Sequence, residues 1–419
     1  MNTEFSADQS KQLKSITVKL TQMNFDRNKL FRFPWSATDN PGAWIEVTDV
    51  CNLDCPGCFR KKNVTGHRPF DEIKKEIQQC REQLNCSRIC ISGGEPLLYP
   101  EIIETVKYIA SLKMKSILLT NGETLNIDLI RELRKAGLFQ FYFHADSGQN
   151  RPGWIDKTEI EMNELRQQLI DMVHKVGKIK CGFNLTVRRS NMNQINDIVR
   201  WYRENYGKVN HLSLITYRAI PDDPSYDLLV DGRKIDKQML TDCINSEHEI
   251  NISTIDLHDE LVREIADTYP AAYLNGTPKE DTFKYLITVN VGSKNRTFGE
   301  VGAKTVEIYQ LLYHVFKGRY DAVIPDPGRA IFFMVFFDKR IRKAMKKYLI
   351  SLLQNPLRLF TPVYVQALIL QQPFEVIDGE PNLCDGCINL MPYQGKLINS
   401  CRFDEYRLLG GPLTFVKNQ

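Results

Sequence analysis

The sequence has no run of 18 or more apolar residues, so we expect no transmembrane helix. Its first residues, M-N-T-E-F-S-A-D-Q-S-K, lack the apolar stretch of a secretory signal, which predicts a cytoplasmic, reducing compartment. An excess of either charge is also absent: 55 basic and 51 acidic residues leave a net charge of +4, so composition predicts no nucleic-acid partner. No internal repeat or low-complexity segment is visible, and 419 residues can bury one large core with an appendage.

Cysteine, by contrast, is abundant and clustered. Six of the eleven cysteines fall into two tight groups, which in a reducing compartment indicates metal or cluster binding rather than disulfides. The first group, Cys51, Cys55 and Cys58, has the spacing C-x3-C-x2-C inside one short loop. Thiolates select iron–sulfur clusters, Zn or Cu(I). A [4Fe–4S] cube with three cysteine ligands leaves one iron open for a small molecule; a structural zinc loop is the alternative.

Strand and helix patterns alternate from Ala43 to Thr216. Six such strands with helices between them predict βαβ units and a parallel sheet, either an open doubly wound sheet or a partial barrel. Every chemical motif follows a strand, at the edge where α/β proteins build their sites. The predicted strands are 43–48, 87–92, 116–120, 139–144, 180–187 and 211–216, and the predicted helices are 71–84, 101–112, 126–136, 159–175 and 191–205.

Two further motifs give a resemblance to a known family. I-S-G-G-E-P spans Ile91 to Pro96 after the second strand, and T-N-G spans Thr120 to Gly122 after the third. With the C-x3-C-x2-C loop, the chain resembles the radical SAM enzymes over roughly residues 40–220. The resemblance implies a partial (β/α)6 TIM-type barrel, a [4Fe–4S] cluster and S-adenosyl-L-methionine (SAM). One departure is Gly57, because the family often has an aromatic residue directly before the third cysteine. In this chain the aromatic residue, Phe59, comes directly after that cysteine.

The resemblance also implies roles for individual residues. Cys51, Cys55 and Cys58 would hold three irons, and the amino and carboxylate groups of the SAM methionine would chelate the fourth. Gly93 and Gly94 have no Cβ, so their backbone can approach the methionine amino group. Glu95 would support that contact and Pro96 would fix the turn. The expected cofactor-binding set is Gly93, Gly94, Glu95, Pro96, Thr120, Asn121, Asp146, Ser147 and Arg188.

Three members of that set follow later strands. Asp146 and Ser147 come after the fourth strand, where they can hydrogen-bond the SAM ribose or simply cap a helix. His144, beside them, is either a substrate contact or a buried core histidine. Arg188 follows the fifth strand, where a guanidinium can grip the SAM carboxylate.

The second cysteine group is Cys384, Cys387 and Cys401, and a hairpin at Gly395 is expected to return Cys401 to the C-x2-C knuckle. The spacing is similar to the auxiliary [4Fe–4S] motif of the GTP cyclases and of SPASM/twitch-type radical SAM members. We therefore predict a second [4Fe–4S] cluster, with a zinc knuckle as the alternative. A fourth ligand would come from Cys243, Cys80, Cys86, Cys90 or Cys181.

Domain boundaries follow from these patterns. We predict an N-terminal extension at 1–40, the radical SAM partial barrel at 41–220, a mostly helical insertion at 221–380 and an auxiliary-cluster region at 381–419. Within the insertion, residues 329–355 combine four phenylalanines with a run of Lys and Arg. Such a segment is typical of a membrane-surface helix, or of a helix that packs on the barrel with its lysines in water.

The resemblance thus implies an enzyme that reductively cleaves SAM to a 5′-deoxyadenosyl radical and abstracts hydrogen from an unactivated carbon. Its partners would be a small-molecule or lipid-like substrate, an electron donor such as flavodoxin or ferredoxin, and a membrane surface that it contacts peripherally. No catalytic side chain is assigned. Two alternatives stay open: a SPASM/twitch-type peptide maturase, and an inactive scaffold stabilised by a cluster or by zinc.

Overall fold

The computed structural model describes residues 26–56, 58, 60–217, 225–236, 252–322, 326–377 and 379–417. Strands and helices alternate up to residue 216, in agreement with the sequence pattern. The first strands are β1 (Phe31–Arg32), β2 (Gly42–Glu46), β3 (Arg88–Ser92), β4 (Lys115–Thr120), β5 (Gln140–His144), β6 (Lys180–Val187) and β7 (His211–Thr216). The helices between them are α1 (Phe70–Leu84), α2 (Ile102–Ser111), α3 (Ile127–Ala136), α4 (Met162–Val176) and α5 (Ile195–Glu204).

Local signals in the sequence begin and end these helices. At the start of α3, the Asn126 side chain accepts hydrogen bonds from the backbone N–H groups of Asp128 and Leu129. The same helix ends at Gly137, whose φ of 100° suits a residue without a Cβ. Each helix then places an apolar stripe on the outer face of the sheet, and these stripes form the larger hydrophobic core.

The sheet curls into a partial barrel, as predicted. Strands β2 to β7 are parallel and lie side by side in sequence order. This order is that of successive βαβ units with the helices on one face. Their inward side chains enclose a cavity, and their C-terminal ends form one rim of it.

Residues after β7 add more strands than the sequence analysis expected. The elements of this region are β8 (Tyr226–Val230), β9 (Arg233–Lys234), α6 (Thr254–Val262), β10 (Ala272–Thr277), β11 (Phe283–Ser293), β12 (Arg296–Glu300), α7 (Ala303–Lys317), α8 (Lys339–Gln354) and β13 (Tyr364–Gln371). Strand β13 pairs parallel with β7, and β11 and β10 continue the sheet antiparallel. The predicted helical insertion is therefore partly an extension of the barrel sheet. Strand β11 is buried along its whole length, so it lacks the alternation that marks a strand.

The C-terminal region returns to this sheet extension. Its elements are β14 (Glu375–Ile377), β15 (Glu380–Cys384), β16 (Leu390–Tyr393), β17 (Lys396–Asn399), α9 (Phe403–Leu409) and β18 (Thr414–Lys417). Strand β15 pairs with β10, and β16 and β17 form the hairpin expected at Gly395. Gln394 and Gly395 both have positive φ, as a two-residue hairpin turn requires.

A layer of polar contacts covers the cavity floor at the N-terminal ends of the strands. Arg88 pairs with the buried Asp321, which also accepts a hydrogen bond from the Tyr309 hydroxyl at 2.8 Å. Gln310 donates to the Asp321 carbonyl at 2.8 Å, and Ala322 lines the cavity. In the described ranges, no helix is both long and apolar enough to cross a bilayer.

Candidate active site

The first cysteine loop leads from β2 into the cavity, which has a volume of about 340 Å³. Cys51, Cys55 and Cys58 all line it. Asp49 shapes the loop from behind, since its carboxylate accepts hydrogen bonds from the N–H groups of Thr65 at 2.6 Å and Gly66 at 2.8 Å. Burial alone would raise the pKa of Asp49, but these hydrogen bonds outweigh it and lower the pKa.

Burial acts on the pKa of two thiols of this loop, Cys51 and Cys55. It raises the pKa of Cys51, and together with the neighbouring Cys58 it raises the pKa of Cys55 to about 12. Within the described part of the chain, no three His, Cys, Asp or Glu side chains are grouped closely enough for a single metal ion.

The G-G-E-P segment packs directly on the cysteine loop. A Cβ at Gly93 would overlap the Thr48 carbonyl oxygen, and a Cβ at Gly94 would overlap the Val50 carbonyl oxygen. Gly94 N–H donates to Thr48 O, and Glu95 N–H donates to Val50 O, each at 2.8 Å. Both glycines line the cavity. Their lack of a side chain is thus needed for the approach of two backbone segments, in addition to any contact with a cofactor.

Glu95 and Pro96 lie behind the cavity wall. The Glu95 carboxylate accepts hydrogen bonds from Leu97 N–H at 2.9 Å, the Thr120 hydroxyl at 2.6 Å and Asn121 N–H at 2.7 Å. Burial raises the pKa of Glu95 despite these bonds. Pro96 is buried at the start of a short 3₁₀ helix, Pro96–Leu98. Glu95 therefore joins the G-G-E-P segment to the T-N-G segment.

The T-N-G segment completes this side of the rim. Thr120 and Asn121 line the cavity. Thr120 Oγ1 accepts from Gly122 N–H at 2.9 Å, and Asn121 Nδ2 donates to Asn52 Oδ1, inside the cysteine loop, at 2.8 Å. The three sequence motifs are consequently one hydrogen-bonded unit.

The two candidates after β5 have different surroundings. Asp146 lines the cavity, and its carboxylate contacts His144 Nε2 at 2.7 Å and the N–H groups of Thr186 at 2.9 Å and Gly148 at 3.0 Å. Burial would raise its pKa, but the His144 charge and these hydrogen bonds lower it to about 2. Ser147 instead directs its hydroxyl to Glu159 at 2.7 Å and is not part of the cavity lining.

Arg188 contacts the cysteine loop from the opposite side of the rim. It lines the cavity, its Nη2 donates to the Pro56 carbonyl at 2.6 Å, and its guanidinium lies 4.2 Å from the Tyr217 ring centroid. This guanidinium therefore fixes the position of the loop that carries Cys55 and Cys58.

The second cysteine group opens onto the same cavity. Cys401 lines it, together with Tyr285 and Asn389. A hydrogen bond with Cys387, and then burial, raise the pKa of Cys384, and the same hydrogen bond lowers the pKa of Cys387. Burial and the three thiols together raise the pKa of Tyr285, whose hydroxyl accepts from Asn389 Nδ2 at 3.2 Å. Cys401 thus faces the same cavity as the first cysteine group, from which it is more than 300 residues distant in sequence.

The candidates for a fourth cysteine ligand lie in different parts of the structure. Cys80, Cys86 and Cys181 belong to the helix-facing core, on the outer side of the sheet. Cys90 faces inward and lines the cavity, and burial raises its pKa to about 12. Cys243 lies outside the described residues.

Lys62 and Tyr285 also belong to this site, although neither was expected from the sequence. Lys62 lines the cavity, and its Nζ donates to Leu53 O at 2.9 Å and Asp54 Oδ1 at 3.0 Å. Burial would lower its pKa, but the hydrogen bond with Asp54 and the charges of Cys58 and Cys55 raise it. A lysine four residues after the last cysteine was the only signal in the sequence.

Comparison with known proteins matches residues 45–202 to the model of the Radical SAM superfamily. The chain is 30% identical over 200 residues to a 7,8-dihydro-6-hydroxymethylpterin dimethyltransferase of Methanocaldococcus jannaschii, covering 46% of this chain and 39% of the relative. It is 28% identical over 185 residues to a probable GTP 3′,8-cyclase of Pyrococcus abyssi, covering 42% and 56%. The chain thus spans about half the length of these relatives, or less. SuiB of Streptococcus suis bound to S-adenosylmethionine is similar in structure at 18% identity and a TM-score of 0.37, covering 63% of this chain and 53% of SuiB.

Proposed function

We propose that this chain is an enzyme of the radical SAM superfamily and that its cavity is the site of SAM cleavage and of hydrogen abstraction from the substrate. A bound [4Fe–4S] cluster would supply one electron for cleavage of the sulfonium bond, and SAM would supply the 5′-deoxyadenosyl group that takes hydrogen from an unactivated carbon. The observation that carries the proposal is a cavity lined by all three cysteines of the first group and by Cys401 of the second. An electron donor such as flavodoxin or ferredoxin would reduce the cluster.

In this proposal the rim residues divide into two kinds. Cys51, Cys55 and Cys58 hold the first cluster. SAM is contacted by the members of the predicted set that line the cavity, which are Gly93, Gly94, Thr120, Asn121, Asp146 and Arg188. Glu95, Pro96 and Ser147 act as positioning residues, because none of them lines the cavity. Glu95 and Ser147 form hydrogen bonds with Thr120 and Glu159, and Pro96 is buried at the start of a 3₁₀ helix.

The second cysteine group would hold a second [4Fe–4S] cluster through Cys384, Cys387 and Cys401. Its side of the cavity also carries Tyr285, whose buried hydroxyl accepts a hydrogen bond from Asn389 Nδ2 at 3.2 Å. A substrate held between the two cysteine groups would lie within reach of both. The second cluster would then bind the substrate or exchange an electron with it.

We propose a lipid or isoprenoid-like substrate, approached from a membrane surface. Ile117, Leu119, Ile215 and Ile369, from the three strands β4, β7 and β13, line the cavity with aliphatic carbon. Aliphatic walls favour a substrate with unactivated C–H bonds, because such groups are not recognised by hydrogen bonds. They also exclude water from the reacting carbon.

The test is iron and acid-labile sulfide per chain after anaerobic reconstitution. Wild type is expected to hold about eight irons, consistent with two four-iron clusters. One variant changes Cys51, Cys55 and Cys58 to Ala, a second changes Cys384, Cys387 and Cys401, and each should retain about four irons. The matched control changes Cys80, Cys86 and Cys181, the three thiols of the helix-facing core, and should retain wild-type iron.

Formation of 5′-deoxyadenosine from SAM, followed by mass spectrometry, completes the test. Only the Cys51/Cys55/Cys58 variant should lose it entirely. A preparation rich in zinc and free of iron would contradict the radical mechanism. If wild type held about four irons, and only the Cys51/Cys55/Cys58 variant lost them, residues 384–401 would form a structural knuckle and not a second cluster site.

A further inference from the structure

Three consecutive helical segments leave a large apolar surface in solvent. They are the 3₁₀ helix Gly328–Phe336, the helix α8, and the 3₁₀ helix Pro356–Phe360. Phe336 is 78% exposed, Leu353 84% and Phe360 81%. We call the exposed side of these segments the apolar–basic face. Its apolar members are Phe333, Phe336, Phe337, Leu349, Ile350, Leu353, Leu357, Leu359 and Phe360.

The three segments are held together as one unit. Arg329 Nε donates to the Tyr348 hydroxyl at 2.9 Å, and Arg329 Nη2 donates to the Thr361 carbonyl at 2.8 Å. The Phe332 ring stacks on Tyr348 with centroids 5.0 Å apart. Arg358 donates to the Ser351 carbonyl at 3.0 Å. The exposed residues therefore sit on a fixed surface.

One side of the unit packs against the rest of the protein, and this packing does not involve the exposed apolar residues. In α8, Ile341, Ala344, Tyr348 and Ser351 are buried at helical spacing against the second hydrophobic core. This stripe accounts for the packing of α8 on the sheet extension. The exposed apolar side chains are additional to it, and so many large apolar side chains in solvent on one unit mark an interaction surface.

Charge identifies the partner. Residues 328–360 contain eight Lys and Arg but one acidic residue, whereas the whole chain has a net charge of +4, so all other residues together are slightly negative. The one acid, Asp338, is buried and caps α8, accepting from Arg340 N–H at 2.8 Å. Arg342, Lys343 and Lys346 on the first half of α8 are exposed beside the apolar residues. A second copy of the chain would bring two such basic segments together, which like-charge repulsion opposes.

We propose that the apolar–basic face docks on an anionic lipid bilayer, with its phenylalanines and leucines at the acyl boundary and its lysines at the headgroups. Two signals of this kind together give stable but reversible membrane binding. The inference deepens the proposed function, on which its link to a lipid substrate rests. Docking itself needs neither cluster nor SAM, so it can be measured separately.

The experiment is flotation of the full chain with vesicles of phosphatidylcholine, with and without phosphatidylglycerol. Wild type should float with the anionic vesicles and weakly with the neutral ones. The Phe336→Ser/Phe360→Ser variant should bind about tenfold more weakly for each phenylalanine. The Lys343→Gln/Lys346→Gln variant should lose about fivefold for each lysine, and salt should weaken wild-type binding in the same way.

Matched controls carry the same changes on other exposed surfaces, as Ile155→Ser/Ile160→Ser and Lys135→Gln/Lys175→Gln, and should bind as wild type. All five proteins should form 5′-deoxyadenosine equally in the absence of vesicles, which separates a failure of docking from a failure of the proposed chemistry. Absence of vesicle binding by wild type, or equal binding by all variants, would overturn the proposal. Self-association that Phe336→Ser/Phe360→Ser abolishes, without vesicle binding, would assign the face to a contact between copies.

Discussion

A histidine in the cavity floor should give the folded protein a measurable dependence on pH. His211, the first residue of β7, is buried and lines the cavity, and its Nδ1 lies 3.3 Å from Gln140 Nε2. Burial, with the positive charges of Lys180 and Arg88, lowers the pKa of His211 from 6.5 to about 3. The ring is therefore a neutral imidazole that accepts from Gln140.

The sign of the effect follows from proton linkage. Between pH 6.5 and about 3, the unfolded chain binds a proton at His211 and the folded chain does not. The free energy of unfolding should thus fall as pH drops through this window, by about 1.4 kcal/mol per pH unit, and be constant above it. The same relation predicts a loss of about 2 kcal/mol between pH 8 and pH 5 from this one residue.

The assay is urea unfolding of the metal-free protein at pH 8 and pH 5. His211→Gln should remove about 2 kcal/mol of the difference between the two pH values, whatever its effect at pH 8. The exposed His174→Gln serves as the control and should retain the wild-type difference. If wild type and His211→Gln lose equal free energy on acidification, the reasoning about His211 is refuted.

Three further predictions concern the rim. The Glu95 carboxylate accepts three hydrogen bonds, and Glu95→Gln replaces one of its oxygens with an NH2 group that cannot accept. Urea unfolding should therefore show a loss of about 1–3 kcal/mol in the free energy of unfolding, and calorimetry should show weaker SAM binding. The exposed Glu104→Gln should change neither quantity. Lys62→Met removes a positive charge beside the thiols of the first cysteine group. An EPR titration should then show a reduction potential of the first cluster that is more negative by tens of millivolts, whereas Lys61→Met should leave it unchanged. Equal potentials in wild type and Lys62→Met would contradict this role of Lys62. Ser147→Ala should leave SAM affinity within about twofold of wild type in the same calorimetric assay, since its hydroxyl points away from the cavity, and a larger loss would place that hydroxyl on SAM.

The parallel part of the fold was predictable because each unit is local. Each βα unit consists of a strand, a turn and a helix that are close together in sequence. Capping residues such as Asn126 and Gly137 determine where the helix of the unit begins and ends. The pairing of β13 with β7 was not predictable, because it joins segments about 150 residues apart and depends on tertiary packing. For the same reason, only the family resemblance, and no strand or helix pattern, suggested that Cys401 would lie near the site of the first cysteine group, whose cavity it lines.

Within the site, the sequence identified motifs better than it identified the roles of single side chains. Asp146 and Ser147 are adjacent and equally polar, yet only Asp146 lines the cavity, because a buried Glu159 takes the Ser147 hydroxyl. Glu159 is itself paired with the buried Arg166 on α4, a partner that no motif specifies. Side-chain direction at the end of a strand is decided by such neighbours and not by residue type.

The parallel pairing of β7 with β13 also bears on how the chain is synthesised. When β7 has left the ribosome, its partner is still about 150 residues away, which at translation rates of roughly 5–20 residues per second is on the order of ten seconds. During that interval the β7 edge of the parallel β2–β7 part of the sheet has unpaired N–H and C=O groups, the kind of edge on which other strands aggregate. Nascent chains should therefore depend on a chaperone until Gln371 is made. A fragment that ends soon after β7 would keep that open edge permanently and should be recovered mainly as insoluble material.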